Sequence, residues 1–326
     1  MPIANVQQLV VAPTDVAAEL TADEKPGAGT PRRFAVRQRV QVTPATHGTW
    51  EELPEGRLWR LRVSSGNATD LNFGFTGVWL PEGATLHFSS EPVQYFQGPY
   101  TSSDNKPHGQ LWTPVVPGEA AVIELFVPND AAEPRLTLEY VNTGYRDWFS
   151  LQGGPKASGP CNIDVVCPQA AAWSNEVRSV GVYTLEGFFT CSGTLITDVA
   201  GDLKPYFLTA NHCGIGAANA ATVVVYWNYN ATSCSPSHPG GSLSQNQSGA
   251  IFRAAKFDVD FALIELESVP DPSFNVYYSG WDRSGAAPAG CVGIHHPDTD
   301  VKAISFCNST LTTINSCIGS GGSSTH

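Results

Sequence analysis

Between residues 32 and 146 apolar and polar positions alternate along the chain. In the run Arg57 to Val63, Trp59, Leu61 and Val63 fall on one side and Arg60 and Arg62 on the other. That is the period of a strand with one buried face. The run Ala121 to Val127 repeats it around Glu124. The turn clusters SSGN (64–67), LPEGA (80–84), SSDN (102–105) and VPND (127–130) break the pattern at spacings suited to a β-sandwich. Further on, VRSVGVYTL (177–185), GTLIT (193–197), YFLTA (206–210), TVVVYWNY (222–229) and FALIEL (261–266) are short apolar runs that predict more strands. Long helical periodicity is missing throughout, so the chain is expected to be all-β.

The pattern divides the chain. Residues 1–30 read as a polar, poorly ordered leader ending in the loop-like KPGAGTP (25–31), and 31–150 as the β-sandwich. Residues 151–160, LQGGPKASGP, are rich in Gly, Pro and Ser and predict an exposed linker before a second domain over 161–326. A length of 326 residues suits two domains of ordinary size.

Composition narrows the class. Only 15% of residues are charged, against 42% hydrophobic, which argues against coiled coils and for buried cores. Gly (31) and Pro (24) together make about one residue in six, as many turns and short strands require. The net charge of −12 is shared evenly, with 11 basic and 17 acidic groups in 1–150 and 7 and 13 in 151–326. A nucleic-acid partner needs a basic surface to neutralise phosphates, and none is offered. No apolar run is long enough to cross a bilayer, so no membrane partner is expected.

All eight cysteines lie from Cys161 to Cys317, and Cys-X2-Cys and His-X3-His spacings are absent. Disulfides are therefore expected rather than a structural zinc site, and with them secretion. The start, MPIANVQQLVVAPTD, lacks the basic region of a secretory signal, so either the signal is missing from this sequence or the start of the gene is misassigned.

One constellation carries chemistry. The strand-like Tyr206-Phe-Leu-Thr-Ala-Asn runs into His212 and Cys213, with Cys191-Ser-Gly upstream and within reach on a neighbouring strand. A working imidazole must be held in one orientation, and a staple at the next residue restricts its loop. Downstream, Asp260 opens the apolar run FALIEL, where an inward carboxylate can hold the Nδ1–H of His212; Asp258 is the alternative.

These residues resemble the chymotrypsin-like serine peptidases, and among them the secreted bacterial lysyl endopeptidases. The likeness rests on CNIDVVCP (161–168), CSGTLIT (191–197), YFLTANHCG (206–214), VVVYWNY (223–229), LSQNQSG (243–249), DFALIEL (260–266), GWDR (280–283) and IHHP (294–297). GPYTSSDNKPHGQLWTPVVPG (98–118) is similar to the prosegments of such enzymes. The resemblance implies a double β-barrel behind a β-sandwich prosegment, protein or peptide substrates, and no cofactor. It implies His212 as general base, Asp260 as its orienting carboxylate, and the disulfides Cys191–Cys213 and Cys167–Cys234. Cys161 would bond a cysteine beyond the nucleophile. One pair among Cys291, Cys307 and Cys317 would leave Cys161 and another free; alternatively Cys161 pairs within that set. In such zymogens the exposed linker is cut, which points to cleavage after Lys156 with Ala157 as the new N-terminus and the prosegment as the mature domain's own partner.

The nucleophile is expected about 80–95 residues after Asp260, near 340–355, past His326. Ser320 and Ser323, in GSGGSSTH (319–326), have no strand after them and are a poor fit. The expectation is a peptidase truncated before its serine, with an incomplete second barrel and no turnover by itself. The rival readings are a non-catalytic peptidase fold and a β-sandwich that binds polysaccharide or protein. Other groups read blandly: His295 and His296 as structural, His87, His108 and His238 as solvated in turns, and Asp298 with Asp300 as a weak calcium pattern.

Overall fold

The computed structural model describes residues 1–24, 29–146, 148, 162–235 and 240–313. The chain forms two units: Met1–Ala22, Phe34–Asp147 and Glu186–Phe188 in one, Asp23–Arg33, Trp148–Leu185 and Phe189–His326 in the other. Both are built from strands. Among the described residues there are two α-helices, Val16–Asp23 and Ser174–Ser179, of eight and six residues. No helix among the described residues is long and apolar enough to cross a membrane.

The first unit is a sandwich of two sheets. Its strands are β1 (Gln8–Val10), β2 (Ala35–Val42), β3 (Thr49–Leu53), β4 (Gly56–Ser64), β5 (Asp70–Trp79), β6 (Thr85–Ser90), β7 (Phe96–Tyr100), β8 (Ala120–Pro128) and β9 (Arg135–Gly144). One sheet runs β1-β4-β8-β6-β7 with β3 on β4; the other runs β5-β9-β2, with β9 between its two partners. Trp59, Leu61 and Val63 of β4, Ile123 and Leu125 of β8, Phe73 and Phe75 of β5 and Val141 of β9 meet in one core. Phe88 of β6 packs on both Phe73 and Phe75 at 5.7 Å. On the other face of β4, Arg60 pairs with Glu51 and Arg62 with Glu91. The alternation of the sequence is thus the inside and outside of the sheet. Residues near the N-terminus take part: β1 runs parallel to β4 with Leu9 opposite Val63.

The second unit contains a barrel of β10 (Val180–Leu185), β11 (Phe189–Ile196), β12 (Tyr206–Thr209), β13 (Val224–Trp227), β14 (Asn246–Ser248), β15 (Ala250–Lys256) and β16 (Phe261–Leu266). The sheet order is β14-β13-β10-β11-β12-β16-β15. Its two end strands are consecutive in the chain, separated by Gly249 alone. The Gly249 amide donates to the Val223 carbonyl beside β13, and its carbonyl accepts from Glu267 beyond β16. One bent stretch of chain therefore closes the curled sheet, with Gly249 at φ +92°. Inside, Phe207 meets Tyr183 and Trp227 edge-on, at 5.8 and 5.7 Å. Val223, Val225, Ile264 and Leu266 complete this core. Cys167–Cys234 ties the start of the unit to the loop after β13.

A separate antiparallel hairpin, β17 (Cys291–His295) and β18 (Ala303–Cys307), adds a short strand at Ile163–Asp164 to form a three-stranded sheet.

Candidate active site

β12 and β16 are antiparallel neighbours with Thr209 opposite Ala262, so the end of one lies beside the start of the other. A single 3-10 turn, Asn211–Cys213, carries His212 out of β12. Another, Phe257–Val259, delivers Asp260 into β16. Asp260 is left-handed at φ +47°, a region that Asp tolerates better than most residues. Its carbonyl accepts from the Asn211 amide at 3.1 Å. Its carboxylate takes two further bonds: Oδ1 from the His212 amide at 2.7 Å and Oδ2 from His212 Nδ1 at 2.6 Å.

This geometry fixes the tautomer of neutral His212. A carboxylate can only accept, so Nδ1 carries the proton and Nε2 keeps its lone pair. Nε2 bonds to no described residue. The Asp260 side chain is 9% exposed and the imidazole 32%, so the acid is buried and the base reachable from solvent. Asp258, the alternative acid, is exposed. Cys213 is bonded to Cys191 of β11, so a covalent tie sits one residue from the imidazole. Tyr183 and Thr209 hydroxyls bond at 3.0 Å, and Thr209 donates to the Ser192 carbonyl at 2.9 Å. A cleft of about 330 Å³ borders the acid, lined by Ser192, Gly193, Thr194, Leu208, Thr209 and Ala210 among others.

The ligand atoms of Cys191, His212 and Cys213 lie within 4.8 Å of one another. They do not suit a metal, because both sulfurs are spent in the disulfide. Asp298 does not suit calcium either, since its carboxylate pairs with Arg32. His87 departs from the solvated reading. It lies within β6, half-buried against the Phe96 ring, and burial lowers its pKa. His108 stays exposed in a turn. His296 is buried and stacks on Tyr229 at 5.9 Å, while its Nδ1 bonds the Asp300 carbonyl at 3.0 Å. Lys156, Ala157, Cys161, His238, Cys317, Ser320 and Ser323 lie outside the described residues.

Tyr183, Thr209 and Ser192, which brace the turn before His212, were not singled out from the sequence. Polar residues inside an apolar run are the signal they leave, a weak one without the sheet register.

Residues 7–141 match the N-terminal domain of lysyl endopeptidases, and residues 155–325 match their C-terminal domain. A lysyl endopeptidase of Pseudomonas aeruginosa is 30% identical over 319 residues, covering 87% of this chain and 65% of that protein. The chain thus spans less than two thirds of the length of this relative. With an all-β fold of the chymotrypsin-like kind, the chain belongs to the lysyl endopeptidase family of peptidases.

Proposed function

We propose that this chain belongs to a secreted serine endopeptidase made as a zymogen, in which His212 is the general base and Asp260 its orienting acid. The observation that carries the reading is the double grip of Asp260 on the amide and Nδ1 of His212. In this reading Nε2 takes the proton of a serine hydroxyl as it attacks the scissile carbonyl. It then passes that proton to the departing amine. Water, deprotonated by the same nitrogen, hydrolyses the acyl-enzyme. Asp260 keeps the ring in place and stabilises the imidazolium. The serine belongs outside the described residues.

The kinship with a lysyl endopeptidase favours cleavage on the carboxyl side of lysine. Two disulfides favour secretion. Residues 31–150 are assigned as the prosegment, released by a cut after Lys156 that leaves Ala157 in front.

The test uses the enzyme secreted by its native host. A lysyl peptide amide should be hydrolysed well above its alanyl counterpart. Asp260→Asn should lower kcat by about 10⁴, because the asparagine donates to Nδ1 and enforces the wrong tautomer. His212→Ala should lose a comparable amount or more. Undiminished kcat in His212→Ala would refute the assignment.

A further inference from the structure

The β17–β18 hairpin sets Cys291 directly opposite Cys307. Both are free thiols in this structure, Cys291 exposed and Cys307 half-buried. Opposed residues of an antiparallel pair have Cα atoms about 4.5–5.5 Å apart. A disulfide spans about 4.4–6.8 Å, so the register alone brings this pair within bonding range. The pKa of Cys291 is raised by loss of solvent contact and then by the adjoining Cys307 thiol, which also hydrogen-bonds it. The strands close tightly here: a Cβ on Gly290 would lie 2.7 Å from the Cys307 carbonyl oxygen.

We propose that Cys291 and Cys307 form a third disulfide of this unit, a cross-strand link at the open end of the hairpin that carries His296 and Lys302 in its loop. The unit already holds two disulfides, so it folds where thiols are oxidised. The oxidant is a small disulfide such as oxidised glutathione. The Cys291 thiolate attacks it, forming a mixed disulfide and releasing one reagent thiol. The Cys307 thiolate then attacks the Cys291 sulfur and displaces the second. Two protons leave the protein thiols, and two electrons pass to the reagent disulfide, which ends as two thiols. The link competes with the pairings of Cys161 and Cys317 that the sequence leaves open.

The full chain, folded in a glutathione redox buffer, decides between them. It is alkylated with iodoacetamide before any reduction, then digested with trypsin and chymotrypsin. Cuts after Arg283 and Lys302 isolate Cys291, and a cut after Leu311 parts Cys307 from Cys317. The expected product is a linked pair of peptides bearing Cys291 and Cys307 that separates on reduction. Alkylation of both cysteines before reduction, or linkage of either to Cys161 or Cys317, would overturn the proposal. A second measurement uses Cys291→Ser. It should render Cys307 open to alkylation in the folded chain, where the parent resists it. An unchanged labelling pattern would overturn the proposal too.

Discussion

At the scale of single residues, Lys302 is a charged group held in the interior. Its ammonium is wholly buried and donates to the Val177 carbonyl at 2.8 Å. Burial pulls its pKa down to about 7. The unfolded chain keeps that proton up to the ordinary lysine value of about 10.4. Below pH 7 both states are protonated and stability does not vary with this group. Between about pH 7 and 10 only the unfolded state holds the proton, so the contribution of Lys302 improves as pH rises. Lys302→Met should stabilise the protein at pH 6–7 by roughly 1–3 kcal/mol, since an apolar side chain needs no acceptor. The gain should shrink towards pH 10, as urea melts at several pH values would record. A loss of stability at pH 6 would show that the ammonium is better satisfied than its one carbonyl implies. A basic residue in VKAISF gave no sequence cue to this burial. His212, by contrast, was legible because the whole run YFLTANHCG, with Cys191-Ser-Gly upstream, carries a recognisable pattern around it. Asp260 was preferred to Asp258 because it opens the apolar run FALIEL, but the left-handed turn that lets its carboxylate take both the amide and Nδ1 of His212 is written in no spacing.

Elements follow the same division. Strands such as β4, β8 and β16 were legible because one face is buried and the other wet, which writes a period of two into the sequence. β5 was harder to read, since Asp70 and Asn72 on its second face are buried as well. β1 was read as leader, because three residues gain strand character only by pairing with β4. Gly249 is the least legible position of all. In the structure a Cβ there would fall 2.3 Å from Glu267 Oε2, on a backbone at φ +92°. Gly249→Val should therefore destabilise the second unit by about 2–3 kcal/mol. Amide hydrogen exchange should quicken first in β14 and β15. Exchange that quickened equally across the whole barrel would mean that the seam is not the weak point.

For the whole molecule, the matches to two successive domains make the testable claim a matter of processing. Sequencing the N-terminus of the secreted mature protein should return Ala-Ser-Gly-Pro, from Ala157 onward. A start more than a few residues away would discard Lys156 as the cut site and leave the His212–Asp260 assignment standing.

The bend at Gly249 also bears on how the protein behaves when crowded. A stretch of chain that pairs with β13 through one half and with β16 through the other leaves fewer free amides and carbonyls at the ends of this sheet for a stranger to extend. Among the described residues β2, β3, β7 and β17 each pair with a single neighbour and keep one side open. Chain-to-chain strand addition would therefore start at such edges, Cys291–His295 among them.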